Sequence, residues 1–138
     1  MAHKIKRFFI DFWPTLLVVA VIAYATLHSN PVTPDMSLVP HMDKLIHAIM
    51  MGGLLSAIAF DWQRSHRSHN VLTPRFLWTL FACVVVFSCG DEILQKAMEN
   101  GRSADILDFA ADTAGALIAL FTAPPVIRAV LKIPKNNA

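Results

Sequence analysis

The sequence predicts an all-α polytopic membrane protein, a bundle of four transmembrane helices that forms a single domain over residues 1–138. Its hydrophobic fraction is 55% and its charged fraction 16%, against about 45–50% and about 25% in typical soluble domains. The apolar residues are also gathered into four runs that approach the roughly 20 residues needed to cross a bilayer core. A soluble bundle would need a polar face on each helix, and these runs lack one.

The four predicted spans cover about residues 8–27, 44–60, 74–94 and 106–127. Prolines between the first two spans mark an irregular loop, and the proline pair "PP" near residue 124 is expected to end the fourth. The first run has a rival interpretation as a signal peptide cleaved after "AYA". We prefer a retained span, because the run is longer than the usual signal-peptide core of about 7–15 residues.

Lysine and arginine are distributed unevenly between the two sides of the predicted bundle. The side that carries both termini has nine of them: Lys4, Lys6, Arg7, Arg64, Arg67, Arg75, Arg128, Lys132 and Lys135. The opposite side has three: Lys44, Lys96 and Arg102. Because positive residues concentrate in cytoplasmic loops, both termini are predicted to be cytoplasmic.

The sequence also disfavours a nucleic-acid partner and a disulfide bond. The formal net charge is only +2, and no basic helix or aromatic-plus-basic stripe is present, so nucleic acid is not an expected partner. The two cysteines, Cys83 and Cys89, are six residues apart. In a helix they would be separated by about 9 Å, which exceeds the roughly 7 Å that a disulfide can bridge.

Polar residues gather where the second, third and fourth spans meet the outer side. Residues three and four apart share a helix face, so each span presents one polar patch at a similar depth. We expect the patches to face the bundle interior, because the alternative is lipid. They form a predicted outward-facing acidic pocket of ten candidate binding residues: Asp43, Lys44, His47, Asp91, Glu92, Gln95, Arg102, Asp105, Asp108 and Asp112.

Small residues on two spans predict close helix packing. Ala111, Gly115 and Ala119 recur at every fourth position of the fourth span, and Gly53 with Ala57 does so on the second. Such surfaces let helix backbones approach each other in lipid, where no hydrophobic driving force exists. They also predict a surface through which the chain could form a homo-oligomer.

Three motifs in this region resemble those of the VanZ-like membrane proteins. They are "DKLIH" at 43–47, "DEILQ" at 91–95 and "GRSADILDFAADTAG" at 101–115. The resemblance covers about residues 43–120, with all three motifs in order. Two positions depart from the family pattern: Met51 replaces an aromatic residue, and Asp112 replaces an asparagine, which adds a negative charge.

The resemblance implies a bacterial plasma-membrane location and a role in the cell envelope. The namesake of the family is associated with low-level resistance to teicoplanin, so tolerance to such glycopeptides is one implied role. The expected partners are membrane lipid and a lipid-linked envelope component.

Three hypotheses of function remain open. The leading one is a non-enzymatic protein whose acidic pocket binds or passes an envelope component. The second is a membrane-embedded enzyme that uses paired carboxylates, with catalytic candidates Glu92, Asp105 and Asp108. The third is a scaffold without a ligand.

No cofactor is expected, because metal-binding signatures such as H-E-x-x-H are absent. If a divalent metal does bind, its candidate ligands are His47, Glu92 and Asp108.

Overall fold

The computed structural model describes residues 2–27, 42–66, 69–97 and 106–133, and these form five helices without strands. The predicted all-α fold is confirmed. The helices are α1 (Ala2–Asp11), α2 (Trp13–Leu27), α3 (Met42–Ser65), α4 (Pro74–Ala97) and α5 (Ile106–Leu131). By length and composition α3, α4 and α5 can cross a membrane, and α2 is a shorter apolar helix.

The structure divides the first predicted span into α1 and α2, and the break follows from Pro14. Proline has no N–H, so the carbonyl of Ile10 lacks the donor that it would have four residues later in a continuous helix. Arg64 on α3 replaces that donor. Its Nη2 lies 3.1 Å from Ile10 O and 2.6 Å from Asp11 O.

Asp61 on α3 accepts hydrogen bonds from α2, on the other side of this break. Its Oδ2 accepts hydrogen bonds from the backbone N of Thr15 at 3.0 Å and from the Thr15 hydroxyl at 2.7 Å. Its Oδ1 lies 3.2 Å from Arg64 Nη2, and the carboxylate is fully buried. The Asp61–Arg64 ion pair on α3 therefore supplies hydrogen-bond donors to the carbonyls at the end of α1 and an acceptor for the N–H near the start of α2. It also holds α2 against α3.

The structure corrects the predicted end of the last helix, because α5 continues through Pro124 and Pro125 to Leu131. Prolines keep a helical φ near −65°, and apolar membrane helices tolerate them when neighbouring helices pack around the freed carbonyls. Pro124 is buried within the bundle. The helix ends instead at Lys132, whose φ is 54°, with the backbone N of Ile133 donating to Arg128 O at 3.0 Å. Such a left-handed residue with a bond back to the last turn is a common helix end.

Helices α3 and α5 make the most extensive contact in the bundle, and Gly115 makes it possible. A Cβ added at Gly115 would overlap the carbonyl oxygen of Ala48, and one added at Gly52 would lie 2.9 Å from Gly115 O. The predicted small-residue contact thus exists, but its α3 side is Ala48 and Gly52. The expectation for Gly53 was wrong: an added Cβ there would meet nothing within 4 Å, because Gly53 points about 100° away from Gly52 around the helix.

Apolar side chains fill the middle of the bundle between two polar ends. The largest fully buried ones are Ile22, Met51, Leu55 and Leu72. We call the end that carries His47 and Asp112 the acidic end, and the end that carries Asp61 and Arg64 the basic end.

Candidate functional site

The antiparallel order of α3, α4 and α5 brings the start of α3, the end of α4 and the start of α5 together at the acidic end. Eight of the ten predicted binding residues lie in the described part of the chain. Arg102 and Asp105 lie outside the described residues. The eight fall into three groups: a buried cluster centred on Asp112, a second one centred on Asp91, and a more exposed one around Lys44.

The first group joins three helices around the fully buried side chain of Asp112. Asp112 Oδ1 lies 3.1 Å from His47 Nδ1, and Asp112 Oδ2 accepts a hydrogen bond of 2.5 Å from the hydroxyl of Ser88. His47 Nδ1 is also 3.7 Å from Glu92 Oε1. His47 and Glu92 are only 8% and 7% exposed. We name these four residues the Asp112 cluster.

Ser88 was not among the predicted site residues, although the sequence contains a signal for it. It lies three residues before Asp91 and four before Glu92, which places it on the same helix face. The structure gives it a function in the cluster: by donating to Asp112 Oδ2 it leaves Oδ1 directed at His47.

The second group holds the carboxylate of Asp91 between two donors. Thr26 Oγ1 on α2 donates to Asp91 Oδ1 at 2.7 Å, and Gln95 Nε2 donates to Asp91 Oδ2 at 2.9 Å. All three residues are buried. The Gln95 contact follows from i, i+4 spacing, whereas Thr26 was missed, because nothing in the sequence alone sets how α2 docks on α4.

The third group is a surface ion-pair chain at the rim of the acidic end. Lys44 Nζ lies 3.0 Å from Asp108 Oδ1 and 3.1 Å from Asp43 Oδ2. The side chain of Asp43 is 52% exposed. Asp43 shares a helix face with His47 by spacing, but it lies in the first turn of α3, so it is directed at the rim and not at the Asp112 cluster.

The structure changes the set of candidate metal ligands. Donor atoms of His47, Glu92 and Asp112 all lie within 4.8 Å of one another. Asp108 was the predicted third ligand, but its carboxylate is paired with Lys44. The reason is depth along the helix: Asp108 lies four residues, about one turn or about 6 Å, closer to the rim than Asp112.

A groove lies between α2 and α4 beside the second group. Its volume is about 430 Å³. Six apolar residues line it together with two polar ones: Val19, Ile22, Ala23, Phe87, Gly90 and Leu94, with Thr26 and Asp91.

Long apolar helices with three buried carboxylates gathered at one end define a polytopic α-helical membrane protein. Comparison with known families gives a more specific assignment. The sequence profile of the VanZ/LLP1 family matches residues 3–128, and the chain belongs to this family. Comparisons with curated proteins and with solved structures returned no match.

Proposed function

We propose that this VanZ/LLP1 family member resides in a bacterial plasma membrane and binds an amphiphilic component of the cell envelope at its acidic end. The apolar chain of the ligand would occupy the α2–α4 groove, and its polar head would lie at Asp91. The observation that carries the proposal is a buried carboxylate, that of Asp91, in the wall of an otherwise mostly apolar groove.

The dimensions and lining of the groove support this use. Ligand pockets commonly measure about 300–1,000 Å³ and are mostly apolar with a few placed polar groups. The groove, at about 430 Å³, falls in that range. Its carboxylate is preorganised, because Thr26 and Gln95 each hold one oxygen of Asp91, so ligand binding need not order that side chain.

The charge of the acidic end selects the head group. Five carboxylates in the described residues belong to it (Asp43, Asp91, Glu92, Asp108 and Asp112), against two lysines, Lys44 and Lys96. Such a surface attracts amines and disfavours bare phosphate through like-charge repulsion. We therefore propose an amphiphile with an amine or several hydroxyl donors in its head group.

The distribution of basic residues supports an orientation with the acidic end outside. Lysines and arginines with described side chains favour the basic end by six to two: Lys6, Arg7, Arg64, Arg75, Arg128 and Lys132, against Lys44 and Lys96. By the positive-inside rule the basic end and both termini would be cytoplasmic. An outward site that handles an envelope component would, in cells, alter tolerance to glycopeptides such as teicoplanin.

The test compares two single-chain probes, dodecylamine and dodecyl phosphate, by native mass spectrometry of the full-length protein in detergent. We expect at least about tenfold tighter binding of the amine, or about 1.4 kcal/mol. Asp91→Asn should remove most of that preference. Gly90→Leu fills the groove, where an added Cβ meets nothing within 4 Å, and should weaken both probes.

Gly53→Leu is the matched control, because Gly53 also has free space around its Cβ position but does not line this groove. It should bind both probes as the unchanged protein does. Equal binding of the two probes, or unchanged binding by Gly90→Leu, would refute the proposal.

A further inference from the structure

The Asp112 cluster offers a second binding chemistry that is separate from the groove. We propose that His47, Glu92 and Asp112 bind one first-row divalent cation, of the Zn²⁺ type, inside the bundle at its acidic end. The three residues come from α3, α4 and α5, so the ion would connect the three long helices.

The donor separations suit such an ion. Ligand atoms at about 2.0–2.1 Å from zinc in tetrahedral geometry are about 3.3–3.4 Å apart. The distance from His47 Nδ1 to Asp112 Oδ1 is 3.1 Å, and that from His47 Nδ1 to Glu92 Oε1 is 3.7 Å. The widest pair is within 4.8 Å, and a change in the side-chain torsions of Glu92 can shorten it, since glutamate has three rotatable bonds.

The chemistry of the donors fits the same class of ion. Imidazole nitrogen favours zinc and its neighbours, while carboxylate oxygen accepts them as well as harder ions. A neutral imidazole and two carboxylates around a divalent cation give a site with no net charge. That balance suits a location where His47, Glu92 and Asp112 are all less than one-tenth exposed, because an uncompensated charge there is costly.

Ser88 would act as a positioning residue for this site. Its hydroxyl donates to Asp112 Oδ2, which leaves Oδ1 as the atom directed at His47 Nδ1. Metal-bound carboxylates are typically held by such a hydrogen bond on the second oxygen. Three protein ligands would also leave a coordination position for water or for an external group, the arrangement of zinc sites that act on a substrate.

The experiment uses the full-length, untagged protein in detergent, stripped with a chelator and dialysed, then titrated with ZnCl₂ and analysed for bound metal. We expect one zinc per chain. His47→Gln and Asp112→Asn should each weaken binding by at least about a hundredfold, and Ser88→Ala by about tenfold, as is usual when a supporting hydrogen bond is removed.

Asp91→Asn is the matched control, since Asp91 is also a buried carboxylate at the acidic end but bonds Thr26 and Gln95. Its zinc affinity should stay within about threefold. His66→Ala, an exposed histidine at the basic end, should also change nothing. Loss of zinc in either control but not in His47→Gln would show binding elsewhere and overturn the proposal.

X-ray absorption at the zinc edge provides a readout that does not depend on any variant folding. The proposal predicts nitrogen and oxygen neighbours with a single imidazole. Sulfur neighbours, two or more imidazoles, or no stoichiometric zinc would each contradict it. Because the groove test uses Asp91 and Gly90, failure of the metal site would leave the amphiphile proposal standing, and the reverse also holds.

Discussion

His47 and Asp112 join α3 to α5 through a contact of 3.1 Å, right beside the point where Gly115 lies against Ala48. The two features depend on each other. Only a glycine at 115 lets the helix backbones approach closely enough, and at that separation a histidine and an aspartate can meet directly. The polar contact then satisfies groups that would be costly to leave in lipid.

Substitution of Gly115 is the first test of this packing. Gly115→Ala should destabilise the protein by about 1–3 kcal/mol or more, since an overpacked core must shift and the atoms in the way belong to the backbone of Ala48. Thermal unfolding in detergent measures the change. Gly53→Ala, where the added methyl meets nothing, should be neutral or gain up to about 1 kcal/mol from helix propensity. Equal stability of the two variants would contradict the described packing.

A double-mutant cycle tests the contact between His47 and Asp112. In chelator-treated protein, His47→Gln and Asp112→Asn should show a coupling energy of about 0.5–3 kcal/mol in unfolding, as residues in direct contact do. Thr73, the residue that caps α4 at the basic end, provides the comparison. The effects of Thr73→Ala and His47→Gln should add within about 0.5 kcal/mol. Additivity in the His47–Asp112 cycle as well would mean that the two side chains do not interact.

Removal of Asp61 tests the account of the break between α1 and α2. Asp61→Ala should cost about 3–5 kcal/mol, because it leaves Arg64 as a partly buried charge without its partner. It should also speed hydrogen–deuterium exchange in α2, whose Thr15 N–H loses its acceptor. Asp11→Ala removes a partly exposed pair with Arg7 and should cost less than about 1 kcal/mol. Similar effects of the two changes would argue against the role of Asp61.

The sequence was sufficient for the fold class, because apolar runs of about 20 residues have few alternatives to membrane helices. Family membership was likewise predicted from three motifs and is confirmed. The grouping of His47, Glu92 and Asp112 follows from helix periodicity combined with antiparallel order. Their use as a binding site stays a prediction.

Other features needed the three-dimensional structure. Arg64 donates to the carbonyl that Pro14 leaves without a helical donor, although the two residues are 50 positions apart. No local sequence pattern predicts this contact. Which of Gly52 and Gly53 faces α5 depends on the rotation of α3 about its axis, because neighbouring residues point about 100° apart. Asp43 and Asp108 were grouped with the buried acids by spacing alone, and their pairing with Lys44 at the rim depends on where the helices begin.

Cysteine labelling in right-side-out membrane vesicles tests most directly the claim that the acidic end faces outward. In a background with Cys83 and Cys89 changed to alanine, Ala97→Cys at the end of α4 and Ser65→Cys at the end of α3 place exposed thiols at opposite ends of the bundle. A membrane-impermeant maleimide should label position 97 in intact vesicles and position 65 only after permeabilisation. The reverse pattern would contradict the account.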